Sequence, residues 1–327
     1  MPSWKLKAAL QGTMSKLPRS HIWNLFFQKY VTRTLKLSDE MFYGKIRKAA
    51  SHWKHYQQHH GPSIPADATV LEIGTGWYPV VPVALYLLGA GDVHTYDITP
   101  LMDTDRALEV CQRILTAADD GTLEQNGLTV LPERMANFRQ LMNPVVSNPE
   151  NRQGLSPSGI LGQFNIHVHI QDVLQTGRED GAFHLFVSNN TFEHIPREAL
   201  AAILKEYLRL CHPEGIMSHH IDPGDHYSYF DKSLTPLHFL QFSEQQYRRY
   251  NNDLQYQNRL RGSDFIKLFS EAGFSVLDDR RGLAPVSDLD ELTLAPQFSA
   301  YEPDDLRVID MWVVAKPADS LQAASSI

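Results

Sequence analysis

The middle of the chain alternates two hydrophobic periods. Residues 69–73 are a short apolar run that breaks at Gly74, and residues 80–88 are a longer one that ends at Gly89-Ala90-Gly91. The first suits a buried strand and the second a buried helix, with Pro79 tolerated in the first helical turn. Residues 92–97 predict a second strand, and 101–116 a helix. A long connection rich in Asn, Pro, Gly and Ser follows over 117–162. Its length points to an insertion with a role such as a lid, with a short helix at Arg134, Phe138, Arg139, Leu141 and Met142. Residues 164–170 and 182–187 predict the third and fourth strands. Residues 197–211 predict a helix with Leu200, Ile203, Leu204, Tyr207, Leu208 and Cys211 on one face. A Pro213-Glu214-Gly215 turn leads into a fifth strand over 216–221. Residues 263–272 predict a helix capped by Ser263 and stopped by Gly273, followed by strands at 274–277 and 306–315. Alternating strands and helices imply an α/β sheet with right-handed crossovers and a ligand at the carboxyl ends of the strands.

The ends of the chain follow other patterns. Residues 1–20 are basic, weakly apolar and expected to be loosely ordered. Residues 21–60 carry helical periodicity, first through Ile22, Trp23, Leu25, Phe26, Phe27 and Tyr30, then through Met41, Phe42, Ile46, Ala49, Ala50 and Trp53. Ser38 before Asp39-Glu40 marks a helix start, and Gly61-Pro62 an end. The expected organisation is a helical extension over 1–65, which could cover the ligand cleft, and a main domain over 66–316. Insertions fall at about 117–162 and 222–261, and a disordered tail follows over 317–327. The second insertion is polar and aromatic, with Phe239, Phe242, Tyr247, Tyr250 and Tyr256.

Composition narrows the class. With 327 residues, 43% hydrophobic and 21% charged, the chain reads as an ordinary globular protein. No apolar stretch is long enough for a membrane span, and no secretory signal is expected at the N-terminus. The two cysteines, Cys111 and Cys211, read as free thiols in a reducing compartment, so a cytoplasmic location is expected. The net charge of -8 argues against nucleic acid as a partner. The charge is uneven: residues 1–60 hold eleven Lys/Arg against Asp39 and Glu40, which is +9, and leaves -17 for the remainder. The bland reading is a solvated helical face packed on an acidic core. The sharper one is a docking arm for an anionic substrate, or weak peripheral association with a membrane surface. A homodimer is left open.

Candidate chemistry starts at Val70-Leu71-Glu72-Ile73-Gly74-Thr75-Gly76-Trp77-Tyr78-Pro79. Glycine there permits φ > 0 and close approach of a ligand to the backbone. A dinucleotide fingerprint wants a third glycine where Pro79 stands, and Glu72 suits a ligand with a cationic amino group. At these residues the sequence resembles the class I S-adenosylmethionine-dependent methyltransferases, whose first motif reads roughly hh(D/E)hGxGxG. Val70 to Gly76 match it, and Tyr78 replaces the last glycine. The resemblance covers about residues 66–316, the two insertions apart, and the nearest branch is that of bacterial small-molecule and polysaccharide-pathway enzymes. It implies a Rossmann-like seven-stranded mixed sheet with helices on both faces, S-adenosyl-L-methionine as cofactor, and a set of strand-end contacts. Glu72, Gly74, Thr75 and Gly76 form the turn, Asp97 takes the ribose hydroxyls, and Ile98 beside it belongs to the cofactor site. Asp172 with Val173 contacts adenine, and Ser188 and Asn189 lie under the methyl donor.

The acceptor side is less specified. His194, in Ser188-Asn189-Asn190-Thr191-Phe192-Glu193-His194, could be a general base or a locally bonded helix-start residue. His220, Asp222, Asp225 and His226 follow the fifth strand and could deprotonate a hydroxyl or amine. The same cluster could ligate a metal, but no ligand order is evident, so none is expected. His52, His55 and His59 read as a solvated or cleft-facing stripe. No N-P-P-Y-like sequence follows the fourth strand, which lowers a nucleic-acid acceptor further. The leading expectation is methyl transfer to oxygen or nitrogen of a small molecule, of the sugar or natural-product kind, with His194, His220 and Asp222 as catalytic candidates. Competing readings are an aminopropyl transferase, a non-catalytic scaffold of the same fold, and a nicotinamide enzyme.

Overall fold

A computed structural model describes residues 4–14, 36–61, 68–252 and 256–318. Seven strands form one sheet: β1 (Thr69–Ile73), β2 (Asp92–Asp97), β3 (Ile166–Ile170), β4 (Phe183–Asn189), β5 (Cys211–Ile221), β6 (Phe274–Leu283) and β7 (Val308–Pro317). Their order is β3-β2-β1-β4-β5-β7-β6. The five strands from β3 to β5 pair in parallel, and β7 runs antiparallel between β5 and β6. This is the α/β sheet the alternation predicts, in the seven-stranded mixed form that the resemblance implies. The sheet's order reverses at β1, where the crossovers turn from one side to the other and leave a crevice at the strand ends. The register sets that edge level: Ile73 pairs with both Tyr96 and Ser188, and Asn189 pairs with His220.

Alternation along the strands divides the core in two. Val70, Leu185 and Val187 point to one face, with α2 (Asp39–His60), α3 (Val80–Leu88), α4 (Thr104–Asp119), α5 (Pro132–Ser147) and α6 (Pro157–Gly162). Leu71, Phe183 and Phe186 point to the other, with α7 (Arg197–Leu210) and α8 (Gly262–Glu271). Every residue of α3 is buried, and Gly89 closes it at φ 119. A third cluster, with Phe239, Leu240, Tyr247, Phe298 and Leu306, lies under the chain that follows β5. Cys111 and Cys211 are both buried and free.

The start of the chain differs from expectation. Trp4–Met14 is a helix, α1, with Trp4, Ala8 and Gln11 buried at helical spacing. The Trp4 amide donates to Asp231 Oδ2 at 3.3 Å, and its ring meets Tyr250 and Tyr227 at 4.7 and 5.5 Å. One aromatic anchor thus gives weakly apolar residues a partner that their own pattern does not reveal. The helix expected around Ile22 to Tyr30 lies outside the described residues, as does the tail beyond residue 318. α2 begins as expected, with the Met41 amide donating to Ser38 Oγ. Its Phe42, Ile46, Ala49, Trp53 and Tyr56 stripe is buried. His52 and His55, expected on a solvated or cleft-facing stripe, are buried on the same helix.

Other boundaries moved for local reasons. β6 continues through Asp278-Asp279-Arg280-Arg281, a charged run that looks like a turn but suits an edge strand. α8 is capped at Arg261, and Ser263 instead bonds to Asp305. Residues 117–162 hold α5 and α6, and Leu123, Phe138, Met142, Ile160 and Leu161 are buried in the main core. Pro144 inside α5 dilutes the helical pattern there. Phe138→Ala should therefore cost about 3–5 kcal/mol, the range for truncating a core phenylalanine. Urea unfolding measures this; a cost below about 1 kcal/mol would mean that the segment is detachable from the core. Among the described residues, no helix is long and apolar enough to cross a membrane.

Candidate functional site

The donor-side residues meet where β1 and β2 end. The turn after β1 uses positive φ at Gly74 (79°) and Gly76 (70°). A Cβ on Gly74 would lie 2.7 Å from Thr191 Cγ2, so this position excludes any side chain. Gly76 has open space, and its amide donates to Asp97 Oδ2 at 3.1 Å. The Thr99 amide donates to the other oxygen of Asp97 at 3.1 Å. The acid that closes β2 is thereby locked to the glycine turn. Burial pushes its pKa up, against these amide bonds.

Glu72 lies 3% exposed beneath the same turn and accepts from Thr75 Oγ1 at 3.0 Å. Burial raises its pKa to about 7, opposed by the charge of Lys45 and by bonds from Thr75 and Thr95. Lys45 comes from α2, half-buried, and burial lowers its own pKa against the pull of Glu72. Ile98 is 78% exposed beside Asp97. Asp172 is exposed and caps the turn after β3 by accepting from the Leu174 amide at 2.9 Å, while Val173 is buried. Asp97, Ile98, Asp172 and Val173 thus follow two neighbouring strand ends.

The β4 end splits its candidates. Ser188 is fully buried, with Oγ 2.8 Å from His219 Nδ1, on the sheet face away from α2. Asn189 turns to the opposite face, where its Oδ1 lies 3.2 Å from His52 Nε2. His52 and His55 each place Nδ1 2.8 Å from Ser218 Oγ on β5, and both rings meet Trp312 edge-on. These two histidines pin α2 to the sheet.

Asn190, in left-handed backbone at φ 52, is the hub of the acceptor side. Its Oδ1 accepts from Lys48 Nζ and lies 3.2 Å from His220 Nδ1, and its Nδ2 lies 3.4 Å from Asp222 Oδ2. His220 Nε2 lies 2.6 Å from Asp310 Oδ1. Both ring nitrogens of His220 therefore face acceptor oxygens. Asp222 also accepts from the Gly224 amide at 3.1 Å and from Tyr229 Oη at 2.6 Å. Burial pushes its pKa up, but His226, Tyr229 and the Gly224 amide outweigh burial and hold it low. His226 Nε2 stands 3.4 Å from Asp222 Oδ2, an ion-pair distance without hydrogen-bond alignment. Asp225 lies apart, bonded to the Tyr227 amide and His238. His194 is exposed, with Nδ1 2.7 Å from the Tyr256 carbonyl, and its ring meets that of His226 at 4.9 Å.

Sequence reasoning missed Lys45, Lys48, Asn190, Tyr229 and Asp310. Lys45 and Lys48 are three apart within the basic arm, where a helix presents them on one face; that spacing was a usable signal. Asp310 lies 90 positions from His220 and carried none.

No family model matches the chain, and no curated protein matches it. Among solved structures it is similar to a SAM-dependent methyltransferase from Methanosarcina mazei, at 12% identity and a TM-score of 0.41, covering 78% of this chain and 94% of that one. It is also similar to a geranyl diphosphate methyltransferase in complex with SAM, at 10% and 0.43, covering 86% and 92%. A Pyrococcus horikoshii protein is similar at 9% and 0.47, covering 89% and 98%. At these identities and scores, function has to be read from the site's own residues.

The raised pKa of Glu72 has a testable sign. A carboxyl whose folded pKa lies above its ordinary 4.5 contributes stability below pH 4.5, and that contribution fades as pH rises to about 7. Glu72→Gln should remove this loss. Between pH 5 and pH 8, the variant's unfolding free energy should gain on that of the wild type by roughly 2–3 kcal/mol. Parallel urea curves for the two proteins would contradict the assignment.

Proposed function

We propose that the chain is an S-adenosylmethionine-dependent methyltransferase acting on oxygen or nitrogen of a small molecule, of the sugar or natural-product kind. One observation carries the reading: the Gly74–Gly76 turn and Asp97 are tied together at adjacent strand ends, directly above the buried Glu72. This combination offers backbone amides, a ribose-binding acid and a buried carboxylate that gains from a bound ammonium. Asp97 keeps lone pairs for ribose hydroxyls beyond its two amide bonds. Ile98, Asp172 and Val173 would flank adenine, and Asn189 would border the donor. Ser188 would act through the strand, since its hydroxyl is turned to His219.

When bound, S-adenosylmethionine supplies an electrophilic methyl whose C–S electron pair leaves with sulfur. The chain's part is to align the acceptor and take its proton. Asn190, Asp222 and Tyr229 form a hydrogen-bonding wall for that acceptor, braced by His220 and Asp310. His194 Nε2 is not used by the Tyr256 bond and offers a site for the proton, with Asp222 as the neighbouring charge. The aromatic residues between β5 and α8 favour a compact or sugar-like acceptor.

Calorimetric titration with S-adenosylhomocysteine tests this. Micromolar binding is expected, and Asp97→Ala should weaken it by about 1–3 kcal/mol, the range for losing a charged hydrogen-bond partner. Absence of binding to the folded wild type, with or without acceptor candidates, would sink the reading.

A further inference from the structure

Glu193 follows β4 and is 1% exposed, yet neither carboxylate oxygen has a hydrogen-bond partner. Its neighbourhood contains other unsatisfied atoms. His226 Nε2 is buried and also without a hydrogen bond. His194 has Nδ1 on the Tyr256 carbonyl, which fixes the tautomer with the lone pair on Nε2 when the ring is neutral. One ligand atom from each of Glu193, His194 and His226 lies within 4.8 Å of the others. Asp222 Oδ2 stands 3.4 Å from His226 Nε2.

Burial and the neighbouring charge of Asp222 push the Glu193 carboxyl well above its ordinary range. An uncompensated buried charge is costly, by several kcal/mol in real proteins. The nearby cation, Lys48, donates to Asn190 and not to Glu193. A histidine oriented by a backbone carbonyl, a half-buried imidazole whose Nε2 has no hydrogen bond and a desolvated carboxylate together form a metal-ligand set with one outer partner already in place. We infer that Glu193, His194 and His226 bind one divalent first-row transition ion such as Zn2+, Mn2+ or Fe2+.

The mixed nitrogen and oxygen donors favour those ions over Mg2+ or Ca2+, which prefer oxygen alone. Metal–ligand distances of about 2.0–2.2 Å need ligand atoms about 3.3 Å apart in a tetrahedron, so closure takes side-chain movements of about 1.5 Å at most. The site borders Asp222 and Tyr229, so a bound ion would lie beside the acceptor wall. There it could draw an acceptor hydroxyl toward its ionised form, a role that replaces proton acceptance at His194 Nε2 whenever the ion occupies that nitrogen. Binding of the ion does not depend on methyl transfer.

The test uses the full chain, stripped with chelator, and calorimetry with Zn2+, Mn2+ and Mg2+ in turn. One equivalent of Zn2+ or Mn2+ should bind, with little affinity for Mg2+. Glu193→Gln and His226→Gln should each weaken binding more than about 100-fold, beyond the 10–100-fold typical of outer partners. Near-ultraviolet circular dichroism shows whether each variant is folded. A second histidine cluster, Asp92, His94 and His167, serves as the control, and His167→Ala should leave binding intact. No stoichiometric binding by the folded wild type, binding unchanged in both folded variants, or loss only in His167→Ala would each overturn the inference.

Discussion

The missing side chain at Gly74 is the constraint on which the site depends. Thr191 fills the space a Cβ would need, and its hydroxyl donates to the Ile73 carbonyl at 3.3 Å. The end of β1 and the connection after β4 are thereby pressed together. Only two residues separate Thr191 from His194, so the glycine turn and the acceptor wall are held at one fixed spacing. A ligand in the turn and a ligand at Asn190 would meet across this contact, and alignment of two reactants is where much of the barrier to a transfer reaction can be lowered.

Charge is arranged around the same edge with little solvent to soften it. Glu72, Glu193, Asp222 and Asp225 are buried near strand ends in a chain whose net charge is -8. α2 answers with Lys45 beside Glu72 and Lys48 beside Asn190. The basic arm of the sequence is therefore partly accounted for inside the fold, as counter-charge to the acidic edge. α2 is held in place by His52 and His55 on Ser218 and by Arg280 against His55. Its position depends on neutral imidazoles, and burial pushes both histidines below their ordinary range.

The sheet was legible because its strands are short apolar runs with punctuation at both ends, and β1, α3 and β2 have the boundaries their patterns predict. The glycine turn and Asp97 were legible for a related reason: one needs glycine and the other a fixed distance along the chain. The acceptor side was less so. Asp310, Tyr229 and Lys48 reach Asn190, Asp222 and His220 from three separate parts of the chain, and no local pattern encodes such meetings. Ser188 was read correctly as a strand-end residue, but strand parity turns it to the far face and Asn189 to the near one. The helices within 117–162 were hidden by Pro and Asn, residues that mark loops in isolation but are tolerated where a core lies alongside.

α2 also sets a timetable for synthesis. Its anchor on Ser218 lies 166 positions beyond His52, and Arg280 lies 225 beyond His55. At a ribosomal rate of about 5–20 residues per second, this helix waits roughly 10–30 s for β5 after it leaves the tunnel. During that interval Phe42, Ile46 and Trp53 have α3 as a partner, but His52 and His55 have none of the strand they were shaped to meet. The nascent chain is thus obliged to carry a half-docked amphipathic helix through most of its own translation. The window for chaperone capture opens early, and it closes only when the far side of the sheet has been made.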